Sequence, residues 1–368
     1  VDVVPVLPGR DLGRFIRLPF RIYERDPHWV APLPSDERTR LTPGKNPYFD
    51  HAEAAYFLAR EGGRDVGRIS ASVDRNYDSL HGERQATFGF FEAESGEAAG
   101  ALLARAESWS RDRNAEVLRG PMSFTTNDDL GLLIEGFERR PTLMMPYNPP
   151  SYREWIERAG FTKAKDLYAY TIVPPEKPPE HLVRAGAVCR ERYGVTVRPL
   201  DMRRYHEELD RVKQIYNQAW EQNWGFVPMT DREVEHMAAQ LKPAVVPDFV
   251  LFAEIEGKPA GFGLVLPDVN ILLHRIRGRL FPFGLLRLLW GLPRLREGRL
   301  MALGVRKEYR RRGIESLLVG ELMRVARRLG WSQVELGWTL EDNHLINRAI
   351  DQAGGVRYKT YRIFERRL

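Results

Sequence analysis

Val305-Arg306-Lys307-Glu308-Tyr309-Arg310-Arg311-Arg312-Gly313-Ile314-Glu315-Ser316 is the stretch on which the reading of this chain turns. The apolar run Leu300–Val305 before it predicts a strand. After it, Leu317, Leu318, Leu322 and Val325 recur at helical spacing, with Arg324, Arg327 and Arg328 on other faces. A strand, a basic glycine turn and a helix start supply what a diphosphate needs: free backbone N–H groups, the positive end of a helix dipole and cationic side chains. Gly313 suits the bend, because glycine takes positive φ without strain and lets a ligand approach the backbone. Arg310, Arg311, Arg312, Gly313, Ile314 and Ser316 are therefore candidate ligands of a pyrophosphate-bearing cofactor.

Working outward, Val173-Pro174-Pro175-Glu176-Lys177-Pro178-Pro179-Glu180 reads as a linker, since its prolines block helix and sheet pairing alike. The halves on either side repeat one plan. Tyr56–Arg60 and Gly67–Val73 flank the turn Gly62-Gly63, as Phe249–Ile255 and Ala260–Leu266 flank Glu256-Gly257-Lys258. Phe88–Glu92 and the helical pattern Ala98–Arg111 correspond to Leu300–Val305 and Ile314–Leu329, after which Ser332–Gly337 reads as a strand. Each half then closes on an asparagine and a short helix, Asn148 with Tyr152 and Trp155, and Asn343 with Ile346 and Ile350. The expected organisation is one module over residues 1–173, a proline-rich linker and connecting helix over 174–194, and a second module over 195–368 carrying an insertion at 267–298.

The 368 residues suffice for two cores, and 43% hydrophobic with 29% charged residues is a globular composition. A single cysteine, Cys189, excludes an internal disulfide and a multi-cysteine zinc site, and His206, His236, His274 and His344 lack metal-ligand spacing, so no metal is expected. The formal charge of +6 admits nucleic acid, anionic lipid or a polyphosphate ligand. The aromatic cluster Tyr216–Phe226 carries too few basic residues for single-stranded nucleic acid. Val1–Arg10 does not read as a signal or transit peptide, and no run of about 18 apolar residues offers a spanning helix. The expectation is a cytoplasmic protein, peripheral to the inner face of the membrane.

The second half resembles the GNAT acyltransferases, whose cofactor signature (Arg or Gln, two residues, Gly, one residue, Gly or Ala) aligns with Arg310-Arg311-Arg312-Gly313-Ile314-Glu315. Glu315 departs from it, and a carboxylate facing a diphosphate would weaken binding; either it points to solvent or the donor is an acyl-carrier protein. In the resembling fold the fourth and fifth strands splay and acyl-coenzyme A lies between them. The resemblance implies an α+β fold of two GNAT-like modules, each a mixed, mostly antiparallel sheet flanked by helices. It implies acyl-coenzyme A as donor, with Leu303, Gly304, Val305 and Asn343 among the residues that hold it. The family's tyrosine acid, seven residues past that asparagine, is here Ile350. The first half looks like a degenerate partner, because Ala93-Glu94-Ser95-Gly96-Glu97 is acidic where the basic turn should be. Ile16–Tyr23, Asp26–Leu33, Asn46–Glu53, Gly131–Phe137, Tyr216–Pro228 and Lys359–Glu365 are similar to segments of a bacterial tandem group that includes ceramide synthases, which N-acylate a sphingoid base.

That reading needs a base, and Glu335 in the apolar strand Val334–Trp338 is the candidate, with an arginine salt bridge as the plainer explanation of a charge there. Tyr361, or Tyr358, stands in for the missing acid. Tyr216, Asn217, Trp220, Asn223 and Trp224 offer aromatic walls and amides for an amphiphilic amine, and a packed helix explains them as well. Within the insertion, Arg277–Arg296 combines ten bulky apolar residues with five arginines. It reads as a buried helix, as a tunnel wall in which Phe283 and Trp290 touch substrate, or as a segment resting on anionic membrane. The expected activity is fatty acyl transfer to a lipid amine; acetyl or aminoacyl transfer, and acyl-coenzyme A binding without catalysis, are the rivals.

Overall fold

The computed structural model describes every residue except Pro8 and Gln222. The first half runs β1 (Asp2–Pro5), α1 (Arg10–Ile22), α2 (Pro34–Arg40), β2 (Ala52–Glu61), β3 (Arg64–Asp74), α3 (Arg75–His81), β4 (Gln85–Ala93), α4 (Gly96–Arg111), β5 (Val117–Gly120), β6 (Leu132–Glu135), α5 (Ser151–Arg158) and β7 (Thr162–Ile172). Prolines end β7, and α6 (Glu180–Tyr193) follows directly after Pro179. The second half runs β8 (Thr196–Pro199), α7 (Tyr205–Ala219), α8 (Asp231–Leu241), β9 (Val250–Ile255), β10 (Lys258–Pro267), α9 (Asn270–Ile276), α10 (Gly284–Gly291), β11 (Glu297–Val305), α11 (Ile314–Arg328), β12 (Gln333–Leu340), α12 (His344–Gln352) and β13 (Val356–Arg367).

Apolar stripes explain the two central helices. Leu102, Leu103 and Ala106 of α4 pack into the first module's core, and Leu317, Leu318 and Leu322 of α11 into the second's. Leu182 and the fully buried Cys189 seat α6 on that second core. All strands join one sheet in the order β1-β2-β3-β4-β5-β13-β7-β12-β11-β10-β9-β8, with β6 also on β13. Among the strands of the described residues, only β4–β5 and β11–β12 are parallel pairs. This is the mixed, mostly antiparallel α+β architecture expected.

The terminal strands are exchanged. The first half's last strand, β7, pairs with β12, while β13 lies between β5 and β7. Residues 356–367 thus complete the sheet of the first half, and the boundary at 173/174 divides the chain without dividing the sheet.

Candidate active site

Pairing of β11 with β12 runs from Glu297 opposite Gln333 to Leu300 opposite Leu336 and stops. β12 stays bonded to β7 past a bulge between Leu336 and Thr339, which draws it away from β11. Met301–Val305 consequently have no neighbouring strand on that edge among the described residues, leaving backbone groups there for a ligand. The first half opens in the same way, with β4–β5 pairing ending at Thr87 opposite Arg119. There the chain itself returns to fill the gap: Met122 N–H donates to Phe88 O (2.7 Å), and Phe90 N–H to Ser123 Oγ (3.4 Å). Even a Cβ on Gly89 would collide with the backbone of Met122 and Ser123. Glu94 is paired with Arg21 (2.7 Å) and Arg64, so the acidic loop of that half is tied down. One opening is filled and the other is free.

At the head of α11, the backbone N–H groups of Arg311, Arg312, Gly313, Ile314, Glu315 and Ser316 have no hydrogen-bond acceptor among the described residues. Arg311 and Gly313 take φ of 63° and 80°, which turns successive N–H groups outward as a concave nest. Arg311 and Glu315, the residue that breaks the glycine signature, are both exposed. The Arg312 guanidinium lies over Tyr193 and Tyr309 at 5.3 and 5.2 Å. These groups fit a diphosphate at a helix N-terminus. Arg310 corrects the sequence reading. Its guanidinium donates to Ala219 O (3.0 Å) and Gln218 O (3.4 Å), and its N–H to Lys307 O (3.3 Å). It is a strut that holds the turn against the end of α7, because the last carbonyls of a helix need donors.

A cavity of about 270 Å³ opens on the splay. Arg299, Met301 and Ala302 of β11 line it on one side, and Gly337, Trp338 and Thr339 of β12 on the other. Deeper in, Leu200, Leu209, Met237, Leu241, Val245 and Val250 make it apolar, and the first module adds Thr126, Asn127, Asp128 and Met144. Asn343, whose side chain caps α12 by accepting from Ile346 N–H (3.3 Å), stands at the wall with Ile346.

Residues 209–350 match the acetyltransferase (GNAT) family. The chain is 37% identical to a bacterial ceramide synthase of Caulobacter vibrioides, covering 100% of this chain and 98% of that protein. It is 35% identical to protein YghO of Escherichia coli, over 98% and 94% of the two chains. The chain is a GNAT acyltransferase. A tandem GNAT protein from the clavulanic acid biosynthesis pathway shares its fold, with a TM-score of 0.58 at 15% identity over 100% of this chain and 98% of the other.

Within this GNAT enzyme the predicted site residues divide. Tyr216, Trp220, Asn223 and Trp224 line the cavity, and Trp220 stacks on Tyr216 at 4.6 Å. Gln222 of the same cluster lies outside the described residues. Asn217 does not line the cavity; its amide brackets Met229, which does (3.3 Å to both N and O). Gly304 is covered by α7, since a Cβ there would lie 2.6 Å from the Trp220 ring. Phe283 and Trp290 are corrected: they are 65% and 71% exposed on the outer surface and take no part in the cavity. The same exposure overturns the buried-helix reading of the insertion.

Glu335 and Tyr361 are also corrected as groups that touch substrate. The Glu335 side chain is fully enclosed, 3.3 Å from Arg299 Nε, and accepts a hydrogen bond from Tyr358. Register explains this, because Glu335 stands opposite Arg299 in the parallel pair, so the charge inside the strand is answered by an arginine. Arg299 reaches the cavity and Glu335 lies behind it. Tyr361 is fully buried and its hydroxyl has no partner among the described residues; burial pushes its pKa up. Neither lines the cavity.

Sequence reasoning missed the loop Thr125-Thr126-Asn127-Asp128. Asn127 Oδ1 accepts from Tyr216 OH (2.7 Å). Asp128 accepts from Thr125 N–H (3.2 Å) and Oγ1 (3.1 Å), with Arg40 3.7 Å away. Desolvation in the cleft, only partly offset by Arg40, raises its carboxyl to about 6. Small polar residues in a row read as a turn, and nothing local says that the turn reaches the other module's cavity. Glu208, the other carboxylate there, is spent on Arg198 (2.9 Å to each nitrogen) and Arg211 (2.5 Å).

Proposed function

We propose that this enzyme moves a fatty acyl group from acyl-coenzyme A to the amine of a long-chain, sphingoid-base-like acceptor. The observation that carries this is the apolar cavity opening on the free splay. An acetyl group does not need a chamber walled by Leu200, Leu209, Val245 and Val250, whereas a hydrocarbon chain gains about 0.8 kcal/mol per buried methylene. Full-length similarity to a protein named as a ceramide synthase supports it. The donor's diphosphate rests on the N–H groups of Arg311–Ser316, with Asn343 at the cavity wall.

The amine lone pair attacks the thioester carbonyl, the C–N bond forms, the C–S bond breaks, and the thiolate leaves to take a proton from water. Backbone N–H groups on the unpaired edge Met301–Val305 stabilise the oxyanion. Asp128 takes the amine proton, as the cavity carboxylate that meets a single arginine at 3.7 Å where Glu208 is hydrogen-bonded to two. Donor preference tests the reading. With a sphingoid base as acceptor, palmitoyl-coenzyme A should exceed acetyl-coenzyme A in kcat/KM by at least about tenfold. Gly313→Glu should abolish donor binding in calorimetry by adding bulk and charge to the nest. Acetyl as the better donor would favour small-group transfer, and tight donor binding without turnover on any amine would mean a binding module.

A further inference from the structure

No helix among the described residues is long and apolar enough to cross a membrane, yet the insertion leaves its most apolar side chains in water. Phe281 is 89% exposed, and Leu285, Leu286, Leu289 and Trp290 of α10 are exposed as one stripe at i, i+1, i+4 and i+5. A contiguous apolar surface of this kind marks an interaction site. Its charge says which. Residues 269–296 hold six arginines, at 275, 277, 279, 287, 294 and 296, and no aspartate or glutamate. All six are exposed. Among the described residues, where they bond at all the acceptors are main-chain carbonyls of the insertion itself, as for Arg294 on Trp290 and Arg296 on Leu295 (2.9 Å). The cations just outside it differ: Arg140 pairs with Asp268 (2.9 Å) and Arg299 with Glu335 (3.3 Å).

We infer that α10 and its flanking arginines dock the enzyme on an anionic lipid bilayer. Bulky apolar side chains enter the acyl boundary while a ring of unpaired guanidinium groups meets lipid phosphates. The position matches the cavity. The insertion leaves the sheet just after Leu266 and returns just before Arg299, residues that face each other in the β10–β11 register and both line the cavity. Its base is bolted to the loop that carries the cavity residue Met144: buried Asp268 accepts from Leu143 N–H (3.0 Å), and Asn270 Nδ2 donates to Thr142 O (2.8 Å). A lipid amine held in the bilayer therefore reaches the cavity from its Leu266–Arg299 end. This delivery role rests on the lipid-acceptor reading above; the docking does not.

Flotation of the full chain with vesicles of phosphatidylcholine alone, or of equal parts phosphatidylcholine and phosphatidylglycerol, tests it. Wild type should bind the anionic vesicles and not the neutral ones. Phe281→Ser with Leu285→Gln and Leu289→Gln, all at exposed positions, should lower that affinity on the order of 100-fold. The same variant should retain activity on detergent-dispersed acceptor. Arg287→Glu with Arg294→Glu should cost about fivefold or more per charge. Unchanged flotation of the apolar variant, or no flotation of wild type, overturns the inference. So does a wild-type dimer in sedimentation that the apolar variant dissolves, which would make the patch an interface between copies. Anionic-vesicle binding without turnover on any lipid amine would leave docking standing and sink the acceptor reading.

Discussion

Asp128 shows how much of a site depends on one side chain placed by its surroundings. With its carboxyl raised to about 6 by desolvation, it is ionised at neutral pH and takes up a proton readily. Activity should therefore climb as pH rises through 6. Asp128→Asn should lower kcat/KM by about 100-fold and remove that acid limb; a variant that keeps the wild-type profile would show that another group is the base. At this scale the sequence was partly legible. The nest at Arg311–Ser316 could be read because its chemistry is contiguous along the chain. The true position of Glu335 could not, since the arginine that claims it is 36 residues away in sequence and adjacent only through strand register. Arg310 looked like its two neighbours and differs because α7 ends beside it.

Among the elements, α8 is both a wall of the cavity, through Val234, Met237 and Leu241, and a bridge to the first module. Its N-terminus is fixed by a capping box between Thr230 and Glu233. Glu233 also meets His51 Nε2 at 3.1 Å, and His51 Nδ1 meets Asp74 at 2.8 Å. Burial opposes charge on His51, but the two carboxylates outweigh it and hold the pKa up at about 9. A raised histidine pKa gives stability that is complete below the ordinary value near 6.5 and lost as pH climbs through 9. The expected outcome is a melting temperature that declines between pH 7 and 10 in wild type. In His51→Gln it should start lower and change little over that range, as read by circular dichroism. α10 was legible as amphipathic in sequence; that its apolar face stays outside is a matter of what packs against it.

For the whole molecule, the exchanged ends of the sheet decide what can fold alone. Tyr361, Ile363 and Phe364 of β13 are fully buried, each contributing about 1.5–3 kcal/mol. Their sum is comparable to the 5–15 kcal/mol that typically holds a domain together. Residues 1–173 expressed by themselves should therefore fail to give a cooperative thermal transition. Restoring 356–368 by fusion after β7 should recover one; a fragment 1–173 that melts cooperatively on its own would refute this. By itself the sequence determined the local features: both hairpins, the helices α4 and α11, the proline-rich joint, the basic nest and the repeated order of elements. Each is written in neighbouring residues through periodicity and turn chemistry. Only the tertiary structure decided which opening stays free, which carboxylate faces the cavity and which strand closes which half. Those outcomes depend on contacts between segments from about thirty residues apart, as for Phe88 and Met122, to more than two hundred, as for β5 and β13, and burial and pairing across that distance leave no periodic trace in either segment alone.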